Sequence, residues 1–206
     1  IIGLSAYTMG IVVRTDSPWQ SIEDMIAAGE REPEKYNYGT SGIGGTPHIA
    51  GELLNQRTGS KLVHIPYKGG GQAMSDALGG NIPLVYTAVA GAFTHVKAGK
   101  LHAVAVSSLR RAPSLPDVPT FIEAGVPDFE ASSWVGLLAP AKTPRAVIDR
   151  LNKELNAVLT SPEVVAKLET LGITATPGTP EQFGEQMRRD LEKYGKVVKA
   201  AGIKAD

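Results

Sequence analysis

Cysteine is missing from all 206 residues, which removes disulfides and thiolate metal sites and leaves the redox compartment unreadable. Net charge is missing too: 21 Lys and Arg balance 21 Asp and Glu, and no basic run exceeds Arg110-Arg111 or Arg188-Arg189. A nucleic-acid partner is therefore not expected. No apolar run approaches the roughly 20 residues that cross a bilayer. The opening IIGLSAYTMGIVV lacks the positive flank and cleavage pattern of a signal peptide, so direct membrane insertion of this chain is not expected either. His48, His64, His95 and His102 fall in no His-x-x-x-His or comparable spacing, and neither a metal nor a cofactor is expected. The chain opens on Ile1 inside an apolar run rather than on Met, which reads as a fragment of something longer.

What is present is the composition of a globular protein, 42% hydrophobic, with enough chain for one large or two small cores. Strand-like runs (Ile11 to Arg14, KLVHIPY, IPLVYTAV, LHAVAVSS) alternate with helical patterns after Ser21, after the glycines near Gly44, and in GGQAMSDALGG and GAFTHVKAGK. That alternation predicts an α/β sheet with parallel neighbours. After Ser108 the chain turns proline-rich, WVGLLAP resumes as a strand with Trp134 in the core, and from Thr143 it is mostly helix, broken only by GITATP. Thr143-Pro144, Ser161-Pro162 and Thr179-Pro180 each read as a cap followed by a first helical residue, and Thr179 with Gln182 as a capping box. This helical tail lacks strands of its own and must pack on something else.

The stretch YGTSGIGGTPHIAGELL, from Tyr38, carries the most chemistry. Thr46 reads as a cap and Pro47 as the first helical residue, with no acid until Glu52. Free backbone N–H groups and the positive end of the helix dipole would then be open to an anion through Gly44 and Gly45. The same glycines would also suit a plain tight turn. A phosphate loop is excluded by the missing Gly-Lys-Ser/Thr, and a nucleophile elbow built on Ser41 fails at Ile43, where a second glycine is needed. A serine hydrolase using Ser41 stays as the alternative, with Asp76 and a histidine as nominal partners. A second glycine-rich junction, HIPYKGGGQA, offers Tyr67, Lys68 and Gly69, although a loop lysine is commonly just solvated. A third offers Tyr86 and Thr87. In parallel α/β sheets such junctions share the edge where ligands bind.

TDSPWQSIEDMIA, YNYGTSGIGGTPHIAGELL, VHIPYKGGGQAMSDALGG, HVKAGKLHAVAVSS and RRAPSLPDVPTFIEAGVPDFEASSWVGLLAPAKTP together resemble the extracytoplasmic substrate-binding receptors of tripartite tricarboxylate transporters, the Bug/TctC family. The likeness runs over nearly the whole chain. It implies a type II periplasmic-binding fold of two lobes around a central cleft, with residues 9–127 as the complete second lobe. Residues 1–8 and 128–206 would then be a remnant of an incomplete first lobe. It also implies a periplasmic, non-enzymatic receptor that captures a small organic carboxylate and presents it to membrane transporter subunits. Thr40, Ser41, Gly44, Gly45, Thr46 and His48 would contact the ligand, with Tyr67, Lys68, Gly69 and Thr87 as further cleft residues. Many relatives carry an acid near Thr87, suited to a substrate amine; the neutral Thr87 points to a non-amino carboxylate.

Overall fold

The computed structural model describes residues 1–204. Its organising element is one long strand, β1 (Ile2–Arg14). The remaining elements follow in the order α1 (Ile22–Arg31), β2 (Asn37–Thr40), α2 (Thr46–Thr58), β3 (Val63–Pro66), α3 (Gly70–Gly79), β4 (Leu84–Ala88), α4 (Val89–Lys97) and β5 (Leu101–Val106). The chain then runs through β6 (Ser132–Leu137), α5 (Arg145–Leu159), α6 (Pro162–Thr170), β7 (Ile173–Ala175) and α7 (Pro180–Ala201).

Strands β3-β2-β4-β1-β5 lie side by side, and β6 and β7 flank the other end of β1. Met9 to Arg14 pair with β4 and β5, whereas Ile2 to Thr8 pair with β6 and β7. One strand thus belongs to two strand groups in succession. The sequence expectation of a short strand beginning at Ile11 missed this, because Ser5, Tyr7 and Thr8 dilute the apolar signal and the pairing is long-range. The expected parallel sheet holds for β2 with β3 and with β4, but all four pairings of β1 are antiparallel. The helical tail likewise contributes one strand, β7, which pairs with β1, while β6 is the strand expected at WVGLLAP.

Alternation along the strands fills two cores. Ile11, Val13, Leu84 and Tyr86 face Ile22, Met25, Ala50, Leu53 and Leu54 of α1 and α2. Val12, Val85, Ala103 and Val106 face Ala73, Met74, Ala77, Val89 and Ala92 of α3 and α4. Each large aliphatic side chain buried there contributes about 1.5–3 kcal/mol. Exposed large apolar residues are most frequent in the other strand group and its helices, where Val135, Leu137, Leu138, Val147, Leu151, Val158, Leu171 and Leu191 face outward.

Helix starts divide into two kinds. α1 has a capping box between Ser21 and Asp24, and α7 has the expected one between Thr179 and Gln182; both also carry first-turn acids. Ser161 is the N-cap of α6, as expected, though its side chain makes no cap hydrogen bond. Two other expectations fail by one residue. The N-cap before α5 is Pro144, not Thr143, and that before α2 is Gly45, which puts Thr46 at the first helical position and Pro47 at the second.

Candidate functional site

The parallel order of β3, β2 and β4 brings three strand-to-helix junctions to one edge, those leading into α2, α3 and α4. All three helices start without a side-chain cap and without an acid in the first turn. Four N–H groups at the start of a helix have no intrahelical acceptor, and they carry roughly half a positive charge. The junctions are close together. Tyr67 N–H donates to Thr40 O at 3.0 Å, and a Cβ on Gly70 or on Gly91 would lie 3.9 or 3.7 Å from Thr87 Oγ1. Thr87 therefore stands between the starts of α3 and α4, where a neutral hydroxyl can donate without adding charge.

The loop between β2 and α2 is built from its ends inward. Thr40 is fully buried; its hydroxyl donates to Gly42 O at 3.1 Å and accepts from Gly42 N–H at 3.3 Å. His64 Nε2 lies 2.6 Å from the same oxygen, so with the hydroxyl proton directed to Gly42, His64 carries its proton on Nε2. Gly44 N–H donates to His48 Nδ1 at 3.0 Å, which leaves the His48 proton on Nε2, facing Glu52 Oε1 at 4.0 Å. The two imidazoles stack with centroids 3.6 Å apart and 13° between planes. Burial pushes both histidines down: His64 to about 4, helped by His48 beside it, and His48 against an opposing pull from Glu52. Beneath them Tyr38 donates to Glu52 Oε1 at 2.7 Å, and burial raises its hydroxyl pKa far beyond the ordinary range.

This geometry sorts the sequence-derived candidates. Ser41, Gly44 and Lys68 are exposed, and Gly45, Thr46, Gly69 and Thr87 are partly so. Gly42, Ile43, Gly44, Tyr67 and Lys68, with Val198 and Ile203, line a cleft of about 620 Å³. Thr40 and His48 lie behind the loop, with their polar atoms already engaged. Tyr67 turns its hydroxyl to Asp76 Oδ2 at 2.7 Å, with the pKa pushed up to about 12, burial being the larger cause. Thr46, no longer a cap, directs its hydroxyl to Ser133 Oγ at 3.4 Å, tying the loop to β6. On its other side a groove of about 780 Å³ opens among Thr46, Ser133, Trp134, Leu191 and Tyr194. His64 and Gly70 were missed in the sequence, and nothing local signalled His64. The third junction was read, but α4 begins at Val89, two residues before the helix expected from Gly91. Among the described residues no cluster of His, Asp and Glu is arranged to hold a metal ion, and no helix is long and apolar enough to cross a membrane.

The chain is 36% identical over 189 residues to a protein of Pseudomonas sp. strain P51 described as the UPF0065 protein in the tcbD-tcbE intergenic region. That alignment covers 91% of this chain and 56% of the relative, so the chain spans little more than half the relative's length. Among solved structures, an R. palustris protein with adipate superposes with a TM-score of 0.88 at 30% identity, over 98% of this chain and 68% of that one. MatC from Rhodopseudomonas palustris with bound malate gives 0.80 at 25% identity, over 96% and 68%. The family model described as tripartite tricarboxylate transporter family receptor matches residues 1–203, and the chain belongs to that family.

Proposed function

We propose that this chain forms part of an extracytoplasmic, periplasmic receptor that binds a small non-amino dicarboxylate and delivers it to a membrane transporter. In this reading residues 9–127 form one lobe, while residues 1–8 and 128–206 belong to the other. The observation that carries it is the set of three uncapped, acid-free helix starts at one sheet edge, two of them flanking Thr87. Backbone N–H groups with no competing carboxylate favour an anion, and a preorganised set costs little reorganisation on binding. Ser41, Gly45, Thr46, Gly69 and Thr87 are the proposed ligand contacts, with Lys68 adding charge at the rim. Two solved family relatives hold adipate and malate, both dicarboxylates without an amine, which suits a site whose side chain between α3 and α4 is a neutral threonine. β1 passes from one proposed lobe to the other, so ligand-driven closure would bend the chain near Thr8 and Met9 if the ligand prefers the closed state.

Binding without turnover is favoured over hydrolysis at Ser41. The two nearby histidines are committed elsewhere, His48 Nδ1 to Gly44 N–H and His64 Nε2 to Thr40, and neither is placed as a base for Ser41. Thermal-shift titration of the protein expressed from its complete reading frame tests the reading. Malate and adipate should raise the melting temperature by mass action and be recovered unchanged. Stabilisation by phosphate esters but by no carboxylate, or a covalent acyl-phosphonate adduct on Ser41, would overturn it.

A further inference from the structure

Behind the proposed ligand loop, one buried side chain holds the loop through a single acceptor nitrogen. His48 is 7% exposed, and its Nδ1 takes the Gly44 N–H at 3.0 Å. Gly44 sits at φ +71, in the left-handed region where the loop turns into the helix. His64 backs the ring face to face and holds the other end of the loop through Thr40. The ionisable groups facing the pair are Glu52 from α2, at 4.0 Å from His48 Nε2, and Tyr38 from β2, whose ring lies 5.2 Å from His64 and whose hydroxyl is bonded to Glu52.

We propose that His48 is a positioning residue, not a ligand contact: neutral, it latches the loop through Gly44, and on protonation it lets the loop go. A protonated imidazole donates from both nitrogens, so Nδ1–H would face the Gly44 N–H and the contact would change from attraction to repulsion. His64 cannot compensate, since its Nε2 is engaged by Thr40 and a second cation 3.6 Å away would oppose the first. Glu52 favours the proton on Nε2, which is already occupied in the neutral form, and so cannot restore the lost acceptor. The latch is a property of the loop alone; only its consequence, weaker carboxylate binding in acid, rests on the function proposed above.

Amide hydrogen exchange of the protein expressed from its complete reading frame at about pH 7 and about pH 5, corrected to protection factors, reads the latch directly. Protection at Gly44 should fall with pH, by up to about tenfold per unit below the ordinary histidine range, while Val12 and Val85 in the core strands stay protected. His48→Asn places an amide oxygen near the position of Nδ1, accepts the same N–H and has no proton to gain, so Gly44 should stay protected at both pH values. His48→Phe keeps a stacked ring without an acceptor and should lose Gly44 protection already at about pH 7. Equal wild-type protection at both pH values, or a parallel fall in His48→Asn, would overturn the latch. If the protein binds no malate while the exchange pattern holds, the carboxylate function fails and the latch stands.

Discussion

The ring of Tyr38 occupies the space that a side chain on Gly51 would need: a Cβ there would clash with its Cε2, Cζ and hydroxyl. This contact lets α2 approach β2 closely enough for the Tyr38 hydroxyl to reach Glu52 Oε1 at 2.7 Å and the His48 carbonyl at 3.3 Å. Gly51→Ala should therefore cost about 2 kcal/mol or more, as overpacking in a fully buried site does. It should also move the start of α2. Urea unfolding measures the first effect, and a cost below about 0.5 kcal/mol would show that the two elements can separate freely.

Thr46 and Thr179 share the same Thr-Pro signature but differ in role. Thr179 accepts from Gln182 N–H at 3.2 Å in a full capping box, whereas Thr46 sits inside its helix and caps nothing. Thr179→Ala should cost about 1 kcal/mol of stability, and Thr46→Ala less than about 0.5 kcal/mol. Thermal unfolding of the two variants side by side checks the order; equal losses would return Thr46 to a capping role.

The difference between those two threonines also marks how far the sequence can be read. Thr179 with Gln182 was legible because a cap is decided within four residues. The Thr46 junction failed by one position because Gly45 takes the extended cap conformation, at φ −69 and ψ 160, and Pro is accepted at the second helical position as at the first. The parallel core of β2, β3 and β4 followed from βα alternation. The direction of β1 did not, since nothing in Ile2 to Arg14 itself says that its partners run the other way. His64 was illegible as a site residue: its contact with His48 exists only because Tyr38 pairs with His64 across β2 and β3, a register no local pattern encodes.

Acid should destabilise the fold through the histidine pair before its carboxylates matter. His64 falls from the ordinary 6.5 to about 4 in the folded chain, and His48 is lowered too. Between those values the unfolded chain binds more protons than the folded one, so stability is complete above 6.5 and declines as pH drops toward about 4. Because His64 is only partly buried and Glu52 opposes the shift of His48, the loss is on the order of 1–2 kcal/mol. Urea midpoints at about pH 7 and about pH 5 measure it. His64→Gln, which keeps a donor for Thr40, should flatten the decline, and an equally steep decline in that variant would assign it to other groups.

Charge at the helix starts can be changed without disturbing the fold. A Cβ on Gly71, in the first turn of α3, meets nothing within 4 Å. Gly71→Asp should hold or raise stability by about 0.5 kcal/mol, through lower chain entropy and a favourable dipole interaction. It should also weaken malate binding at least about tenfold by placing a carboxylate beside the proposed anion seat. Unchanged affinity in the stable variant would move the ligand away from α3.

The most direct measurement is an NMR titration of the protein with malate, reading backbone amides residue by residue. The account predicts saturable shifts concentrated at Ser41, Gly45, Thr46, Gly70, Gly71 and the first turn of α4 beside Thr87. Shifts confined to another surface, such as the groove between β6 and α7, or no response to any carboxylate, would contradict it.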